Sequence, residues 1–337
     1  MTATVTLMPA SPHDRERPAI APRDLTFLIC VEGNVLGSQA ILLCESLRRH
    51  GGPYRGCPIW AVSPRPELPV RPEVAARLAA IGVEVISEPL NRTGSAYGTI
   101  NRVLVGAWAE ARLATPYVCV LDTDMIFLRA PRLVQAGVGV RSVDKKGVAS
   151  AGPGDRTEDY WLGICRIAGI PIDRLPIVRT TCCRSVIRAS YNGGFIVADR
   201  RLGVLAQTAR VFLESFRQDL RPRGKAARSI FASTGETGTE AASWWGSSQA
   251  ALSAAVSRQT RDVYLYGDAY NVPLHIFARP GELPFDPGEA VLVHYHHLAA
   301  DEHRADFLRA LDRIGCPAEA RDWVARRAAE LPWTLAR

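Results

Sequence analysis

Apolar positions in the first third of the chain fall into two alternating patterns. Short continuous apolar runs occur at Leu25–Val31, Pro58–Val62 and Val83–Ile86. Between them, Ser38–Arg49 and Glu73–Ala80 carry apolar residues at helical spacing. This β-α-β-α-β order predicts parallel strands joined by crossover helices.

The next segment extends the same plan. Thr99–Arg112 has an apolar helical face, and Tyr117–Leu121 (YVCVL) is a continuous apolar strand typical of the centre of a parallel sheet. Met125–Leu128 continues apolar after a short polar interruption. The pattern therefore predicts an α/β fold, with a Rossmann-like, mixed but mainly parallel sheet flanked by helices.

The pattern is looser after residue 130. The predicted features are a surface loop at 141–160, a glycine turn leading into a strand at Ser190–Asp199, helices at Gly203–Phe216 and Trp244–Val256, a mobile segment at 221–239, and a strand at Ala290–Val293. We predict a disordered leader at 1–23, one domain at 24–300, and a helical tail at 301–337 packed on that domain.

Composition narrows the function classes only moderately. The chain has 337 residues, eight cysteines and a net charge of +7. No apolar run approaches the ~20 residues of a transmembrane helix, and the N-terminus lacks a secretory pattern. The cysteines form no C-x-x-C, which indicates reduced thiols and a cytoplasmic protein, with peripheral contact to the inner membrane left open. No basic run alternates with aromatics, so no nucleic-acid partner is expected.

The first candidate for chemistry is Asp122-Thr123-Asp124, which directly follows the central strand. Ligands of open α/β sheets bind beyond the carboxyl ends of strands. Strand alternation places Asp122 and Asp124 on one side and Thr123 on the other. Buried unpaired carboxylates are costly, and Mn²⁺ or Mg²⁺ would remove that cost. The alternative is an acid pair in a surface loop.

The second candidate is His294-Tyr295-His296-His297, which begins where an apolar strand ends. His294 would complete a metal site with Asp122 and Asp124, because imidazole plus carboxylates suits Mn²⁺, although zinc stays possible. His296 and His297 are weaker candidates for metal ligands, and the alternative is that they contact phosphate or substrate. A satisfied structural histidine is the alternative for each.

Two further segments could contact a ligand. In Tyr191-Asn192-Gly193-Gly194 the glycines would allow close backbone approach and Asn192 could bind sugar hydroxyls, but a plain β-turn explains the pattern equally well. Gln249 follows Gly246-Ser247-Ser248 near the start of a helix. There a simple helix cap is the alternative.

Together these motifs carry a resemblance. LDTDMIFLRAP, YNGGFIVAD, WWGSSQAALSAA, YNVP and LVHYHH occur in the order of the motifs of retaining GT-A glycosyltransferases. The chain is most similar to the glycogenin and bacterial lipooligosaccharide galactosyltransferase type, over about residues 25–300. The resemblance implies a GT-A fold, a nucleoside-diphosphate sugar donor with UDP favoured over GDP, and a Mn²⁺ ion held by the D-x-D motif.

The resemblance also implies residue roles. Asp122, Asp124 and His294 match the metal ligands, and Gln249 matches a glutamine beside the anomeric carbon. The expected donor contacts are Asn101, Arg102, Thr123, Asn192, Gly193, His296 and His297, with Asn192 also catalytic. The expected reaction is hexosyl transfer with retention to a glycan, a lipid-linked sugar or a small molecule.

The chain departs from the family pattern at three places. Ser248 stands where the family has an aspartate, and no lysine follows His294 to bind phosphate. The loop Arg141–Trp161 has no counterpart and is a candidate for acceptor recognition. The substitution at Ser248 leaves an inactive nucleotide-sugar binding protein as an alternative. A nucleotidyltransferase is the other, although Glu32–Gly37 lacks the basic residue that its phosphate loop would carry.

Overall fold

The structure is a computed structural model that describes residue 7 and residues 17–95, 97–224, 227–298 and 301–333. Within these ranges the strands are β1 Leu25–Cys30, β2 Ile59–Ser63, β3 Val83–Ser87, β4 Tyr117–Leu121, β5 Met125–Phe127, β6 Val138–Ser142, β7 Ile177–Arg179, β8 Val186–Arg188, β9 Tyr191–Asp199, β10 Phe231–Ala232, β11 Gly235–Glu236, β12 Val263–Leu265, β13 Val272–Pro273 and β14 Leu292–His294. The helices are α1 Val35–His50, α2 Pro72–Ala80, α3 Thr99–Glu110, α4 Glu158–Ala168, α5 Val204–Arg217, α6 Gly238–Ser243, α7 Ser247–Gln259, α8 Leu274–Phe277, α9 Arg304–Arg313 and α10 Ala318–Glu330.

A seven-stranded sheet forms the centre of the molecule, in the order β12-β6-β9-β4-β1-β2-β3. Strand β9 runs antiparallel to β4 and to β6, and the remaining neighbours are parallel. The predicted mixed, mainly parallel sheet flanked by helices is therefore confirmed.

Both faces of this sheet are buried, which explains the continuous apolar runs. In β1, Phe27 and Ile29 belong to the core on the α1 side, and Leu28 belongs to the core shared with α3, α5 and α7. Because alternate side chains fill opposite cores, no position in the strand can be polar without a partner.

A second, three-stranded sheet, in the order β13-β14-β5, positions the candidate site residues. Strand β5 leaves the end of β4 and pairs antiparallel with β14, so that Met125 lies opposite His294. The Asp122–Asp124 segment is thus the junction of the two sheets. Residues far apart in sequence meet there.

The helices after residue 300 lie against this second sheet. Phe307, Leu311 and Val324 are buried in the same core as Val293 and Tyr295. One turn further along α10, the Arg327 guanidinium pairs with Glu45 in α1, at 2.5 Å. Residues 334–337 lie outside the described part of the chain.

Three local predictions need correction. The expected surface loop at 141–160 is wrong at its ends, because β6 includes Arg141 and Ser142 and α4 begins at Glu158. Gly139 and Arg141 interrupt the apolar run VGVRS, so its sequence does not predict a buried strand. The glycine turn predicted at Asn192–Gly194 is instead extended backbone inside β9.

The third correction concerns the predicted leader. The predicted mobile segment is described in part. Ile20 is buried, and its N–H donates to the Leu133 carbonyl at 2.8 Å, so residues 17–23 lie on the domain. Residues 1–6 and 8–16, which belong to the same predicted leader, lie outside the described residues. Of the predicted segment 221–239, the described part includes the β10–β11 hairpin and the start of α6, whereas 225–226 lie outside it.

Thiols and membrane spans can be checked for the described residues. All eight cysteines are among them, and each is free, as predicted. None of the helices described is long and apolar enough to cross a membrane.

Candidate active site

The junction of the two sheets gathers a carboxylate and two imidazoles. Asp124 Oδ1 lies 3.0 Å from His294 Nε2, and Asp124 Oδ2 lies 3.5 Å from His296 Nδ1. One ligand atom from each of the three residues falls within 4.8 Å of the others. This spacing would let one ion reach all three.

Local backbone geometry orients the imidazole rings of His294 and His296 toward Asp124. His294 ends β14, and the Tyr295 N–H donates to the Asp124 carbonyl at 2.9 Å, which ties the two segments together. His296 has φ 55°, a left-handed conformation unusual for a non-glycine residue. Tyr295 is buried in the core, whereas the histidines on either side both face Asp124.

The protonation of this group follows from burial and proximity. Burial would raise the pKa of Asp124, but His294 and His296 hold that pKa well below its usual range. Burial opposes the charged form of His294, yet the adjacent Asp124 carboxylate raises the pKa of His294. Burial and then His294 lower the pKa of His296. Asp124 thus favours the charged form of His294 in the metal-free protein, whereas burial favours the neutral form of His296, in which one ring nitrogen has a free lone pair.

A third imidazole stands next to this group. The His275 ring in α8 lies 4.3 Å from the His296 ring, between centroids. Its buried Nδ1 has no hydrogen-bond partner among the described residues. Burial and the neighbouring His296 lower the pKa of His275 to about 2, so the ring is neutral. One carboxylate with neutral imidazoles suits Mn²⁺ or another transition cation better than Ca²⁺ or Mg²⁺.

Asp122 has a different environment from Asp124. Its carboxylate pairs with the Arg102 guanidinium of α3, and its N–H donates to the Gly194 carbonyl at 2.9 Å. A side chain at Gly193 would collide with Arg102, and one at Gly194 would collide with Asp122. The two glycines thus make room for this ion pair. Asp122, predicted as a metal ligand, lies outside the group of three.

Two predicted donor contacts are occupied elsewhere. The Thr123 hydroxyl donates to Gln39 of α1 at 2.9 Å inside the protein, because strand alternation turns it away from Asp124. Asn101 is buried and donates to Glu32 at 3.0 Å. Neither side chain lines the open cleft that holds Asn192 and Gln249.

The predicted sugar contacts do come together. Asn192 of β9 and Gln249 of α7 line one open cleft of about 220 Å³, which His275 also lines. Gly246, with φ 95°, turns the chain into α7, and its lack of a side chain lets Val148 pack close by. Ser248, which replaces the expected aspartate, is buried with its hydroxyl 3.3 Å from that of Tyr97.

His297 does not join the other histidines at Asp124. Its ring contacts Phe231 at 5.0 Å and His303 at 4.7 Å, between centroids. Burial and then His303 lower its pKa. Of the two histidines that sequence left equivalent, the structure selects His296.

A supporting layer that sequence reasoning missed lies behind His294. The Asn271 Oδ1 accepts from His294 Nδ1 at 3.1 Å in the tautomer that leaves Nε2 facing Asp124. Asn271 has φ 51°, and the buried Arg141 guanidinium donates to its carbonyl oxygen. Outer hydrogen bonds of this kind set the orientation of a ligating imidazole.

Sequence signals for some of these residues existed. No such pattern singles out His296 over His297, because β14 ends at His294 and the left-handed backbone at His296 turns its ring toward Asp124. Asn271 lies in the YNVP motif. His275 gave no such signal, because a four-residue helix brings it in.

The sequence matches a family of glycosyltransferase domains. The model of the Rhodobacterales glycosyltransferase domain matches residues 27–237, which is more than half of the chain. The chain belongs to this family. The matched span includes Asp122, Asp124 and Asn192 but ends before Gln249 and His294. The glycosyltransferase expectation is confirmed at this level, and the retaining, glycogenin-like subtype stays a prediction.

One solved glycosyltransferase structure has a weak similarity to the chain. The chain is similar to the apo structure of WbbM, a bifunctional glycosyltransferase, with 12% identity and a TM-score of 0.49 over 90% of this chain. It spans about half of that structure, 52% of its length. No curated protein matches the chain significantly.

Proposed function

We propose that the protein transfers a sugar from a nucleoside-diphosphate sugar, UDP being the favoured nucleotide, to a sugar-containing or small-molecule acceptor in a metal-dependent reaction. One observation carries this proposal: Asp124, His294 and His296 converge beside a cleft that holds Asn192 and Gln249. Membership of a glycosyltransferase family supports the reaction class.

The proposed ligands of the metal are Asp124, His294 and His296, and the His275 ring lies next to His296 outside this group of three. A bound divalent cation supplies Lewis-acid stabilisation to a departing diphosphate. Mn²⁺ is the ion that this donor set favours over Mg²⁺. Asp122 would then act through Arg102, whose charge it holds in place next to Gly193.

The cleft residues would handle the sugar. Asn192 accepts the Gly194 N–H at 2.9 Å, which fixes its side chain and leaves its amide N–H groups for sugar hydroxyls. Gln249 has no hydrogen-bond partner for its side chain among the described residues, so its amide is free to face the transferred sugar. The described lining of the cleft offers Asp144 as its one carboxylate. Because Asp144 is held by Thr181 at 3.0 Å and is not placed beside Gln249 by any contact, we propose retention without a covalent enzyme intermediate.

The test is donor turnover by the full chain. A panel of UDP- and GDP-sugars is assayed for nucleotide release with and without Mn²⁺, and Mn²⁺ binding is measured by calorimetry. Asp124→Asn removes one proposed ligand with little change in shape, and Asp159→Asn, at an exposed position in α4, is the matched control.

We expect Mn²⁺-dependent release from one sugar, lost in Asp124→Asn and kept in Asp159→Asn. Nucleotide binding without turnover of any donor would instead favour the inactive binding protein. Unchanged Mn²⁺ affinity in Asp124→Asn would refute the metal assignment. The anomeric configuration of the first transfer product, read by NMR, decides between retention and inversion.

A further inference from the structure

The cleft beside Gln249 is lined by cations that have few partners. Lys145, Lys146 and Arg223 all line it. Lys145 and Arg223 are exposed, and the described residues provide neither side chain with a hydrogen bond or an ion pair. Lys146 pairs with Asp155, whose carboxylate is also engaged by the backbone N–H of Thr157 and Ala151.

Like charges also approach one another here. Burial and then the charge of Arg156 lower the pKa of Arg223, so these two guanidinium groups repel. Asp144, the one acid in the described lining, already accepts from the Thr181 hydroxyl at 3.0 Å and lies 3.8 Å from Arg141. The cleft therefore has an excess of positive charge that no free anion among the described residues balances. Such an arrangement favours an anionic ligand.

An aromatic ring in the same lining indicates the rest of that ligand. Trp245 is half-buried and lines the cleft next to Gly246. Its ring is held edge-on by Tyr97, with 6.3 Å between centroids. A fixed aromatic face with convergent polar groups is typical of sites that bind ligands with an apolar face and hydroxyls, as sugars have.

The cleft adjoins the proposed metal site through His275, but the proposed metal ligands do not line it. Asp124, His294 and His296 do not appear in the described lining of the cleft, whereas Asn192 and Gln249 do. If Asn192 and Gln249 hold the transferred sugar, as proposed above, the cations and Trp245 line the remaining space of the same cleft. That is the space an acceptor must occupy.

We propose that this cleft binds an acceptor saccharide that carries a carboxylate or phosphate group, with Arg223 and Lys145 on the anion and Trp245 against the sugar ring. The proposal rests on the proposed function. It makes Arg223 and Lys145 acceptor-specificity residues and assigns them no part in donor binding.

The test compares charged and neutral ligands of the same skeleton on the full chain. Trigalacturonate is compared with its methyl ester, and glucose 6-phosphate with glucose, by calorimetry with the chain loaded with Mn²⁺ and UDP. The same titrations are run on Arg223→Gln/Lys145→Gln. Arg55→Gln is the control, an exposed arginine in the turn after α1. The affinity for UDP is measured for each variant.

We expect at least one charged ligand to bind about tenfold tighter than its neutral partner, the size of one charge-assisted hydrogen bond. The double variant should lose this preference while its UDP affinity stays within about twofold, and Arg223→Lys should restore part of it. Arg55→Gln should behave like the wild type.

Two results would overturn the proposal. One is the absence of any charge preference in the wild type. The other is a loss of UDP affinity in the double variant that matches its loss of ligand binding, because the cations would then serve the donor. Failure of the proposed function is recognised separately, as absent Mn²⁺ and UDP binding, since the charge preference can also be measured without either.

Discussion

Two polar clusters lie at the carboxyl ends of strands in the same sheet, and they differ in how completely they are paired. Beyond β1, the Arg65 guanidinium donates to both oxygens of Glu32, at 2.5 and 2.6 Å. Asn101 donates to the same carboxylate, and Asn91 donates to Asn101 at 2.7 Å. Around Asp124, by contrast, the buried His275 Nδ1 has no partner in the described residues.

The comparison shows that burial of polar groups is not by itself a sign of function. A buried group whose hydrogen bonds are all made within the protein stabilises the fold and specifies its geometry. A buried group with a free lone pair has a cost that a bound ligand or a buried water can remove. The Glu32 cluster is therefore assigned to stability, and the Asp124 cluster to binding. Four substitutions test that division.

The largest effect is expected from Glu32→Ala. Removing a buried carboxylate leaves Arg65 and Asn101 without their partner, which should lower the free energy of unfolding by about 4 kcal/mol. Urea unfolding measures this, with the exposed Glu289→Ala as a control that should stay within about 0.5 kcal/mol of the wild type. A variant that keeps its stability but loses Mn²⁺ would reverse the assignment of the two clusters.

His296→Gly should affect binding and leave the fold intact. Glycine accepts the left-handed backbone at this position, so the variant loses only the imidazole. We expect Mn²⁺ affinity to fall about 100-fold, equivalent to about 2.7 kcal/mol, by calorimetry. His297→Ala is the matched neighbour, and an equal loss there would show that the structure selects the wrong histidine.

Gly194→Ala should impair both properties to an intermediate degree. The added methyl group would collide with the Asp122 carboxylate and disturb its pairing with Arg102. Overpacking of this kind costs about 2 kcal/mol of stability. Donor turnover should also fall, measured at a temperature where the variant is folded. Gly56→Ala has open space around it and should change neither property.

Asn271→Gly should have the smallest effect. It keeps the left-handed backbone and the carbonyl contact to Arg141 but removes the acceptor for His294. We expect Mn²⁺ affinity to drop about tenfold with little change in the melting temperature. Asn34→Gly, which removes the side-chain cap of α1, should instead lower stability by a few tenths of a kcal/mol and leave Mn²⁺ binding unchanged. Identical metal affinity in Asn271→Gly would remove its positioning role.

Sequence reasoning succeeded where a local pattern decides the outcome. The apolar runs of β1 and β4 and the helical face of α1 follow directly from burial on a two-sided sheet. Asp124 and His294, which were predicted as site residues because they follow or end such runs, lie side by side in the structure, and their role as metal ligands stays a prediction. The pairing of β5 with β14, which brings these two residues together, is a long-range contact that no local period encodes.

The parts that sequence could not supply depend on partners chosen in three dimensions. Asp122 and Asp124 are indistinguishable in an alternating pattern, yet one meets Arg102 and the other meets two histidines. Asn192–Gly194 resembles a turn, but its glycines make room for side chains from α3 and from the end of β4. Arg141 looked like a loop residue, although it is almost fully buried beside Asn271.

Tyr295 has a consequence for how the molecule is made. Tyr295 lies between the two proposed histidine ligands in the sequence. Its ring packs against Phe307 at 5.6 Å and Trp333 at 6.2 Å, between centroids. These two residues leave the ribosome after both histidines, and Asp124 leaves long before them. During synthesis Asp124 therefore emerges before His294 and His296. The two histidines are positioned only after the segments that pack on Tyr295 have also been made. For the proposed metal site, loading should accordingly be one of the last events in the maturation of the chain.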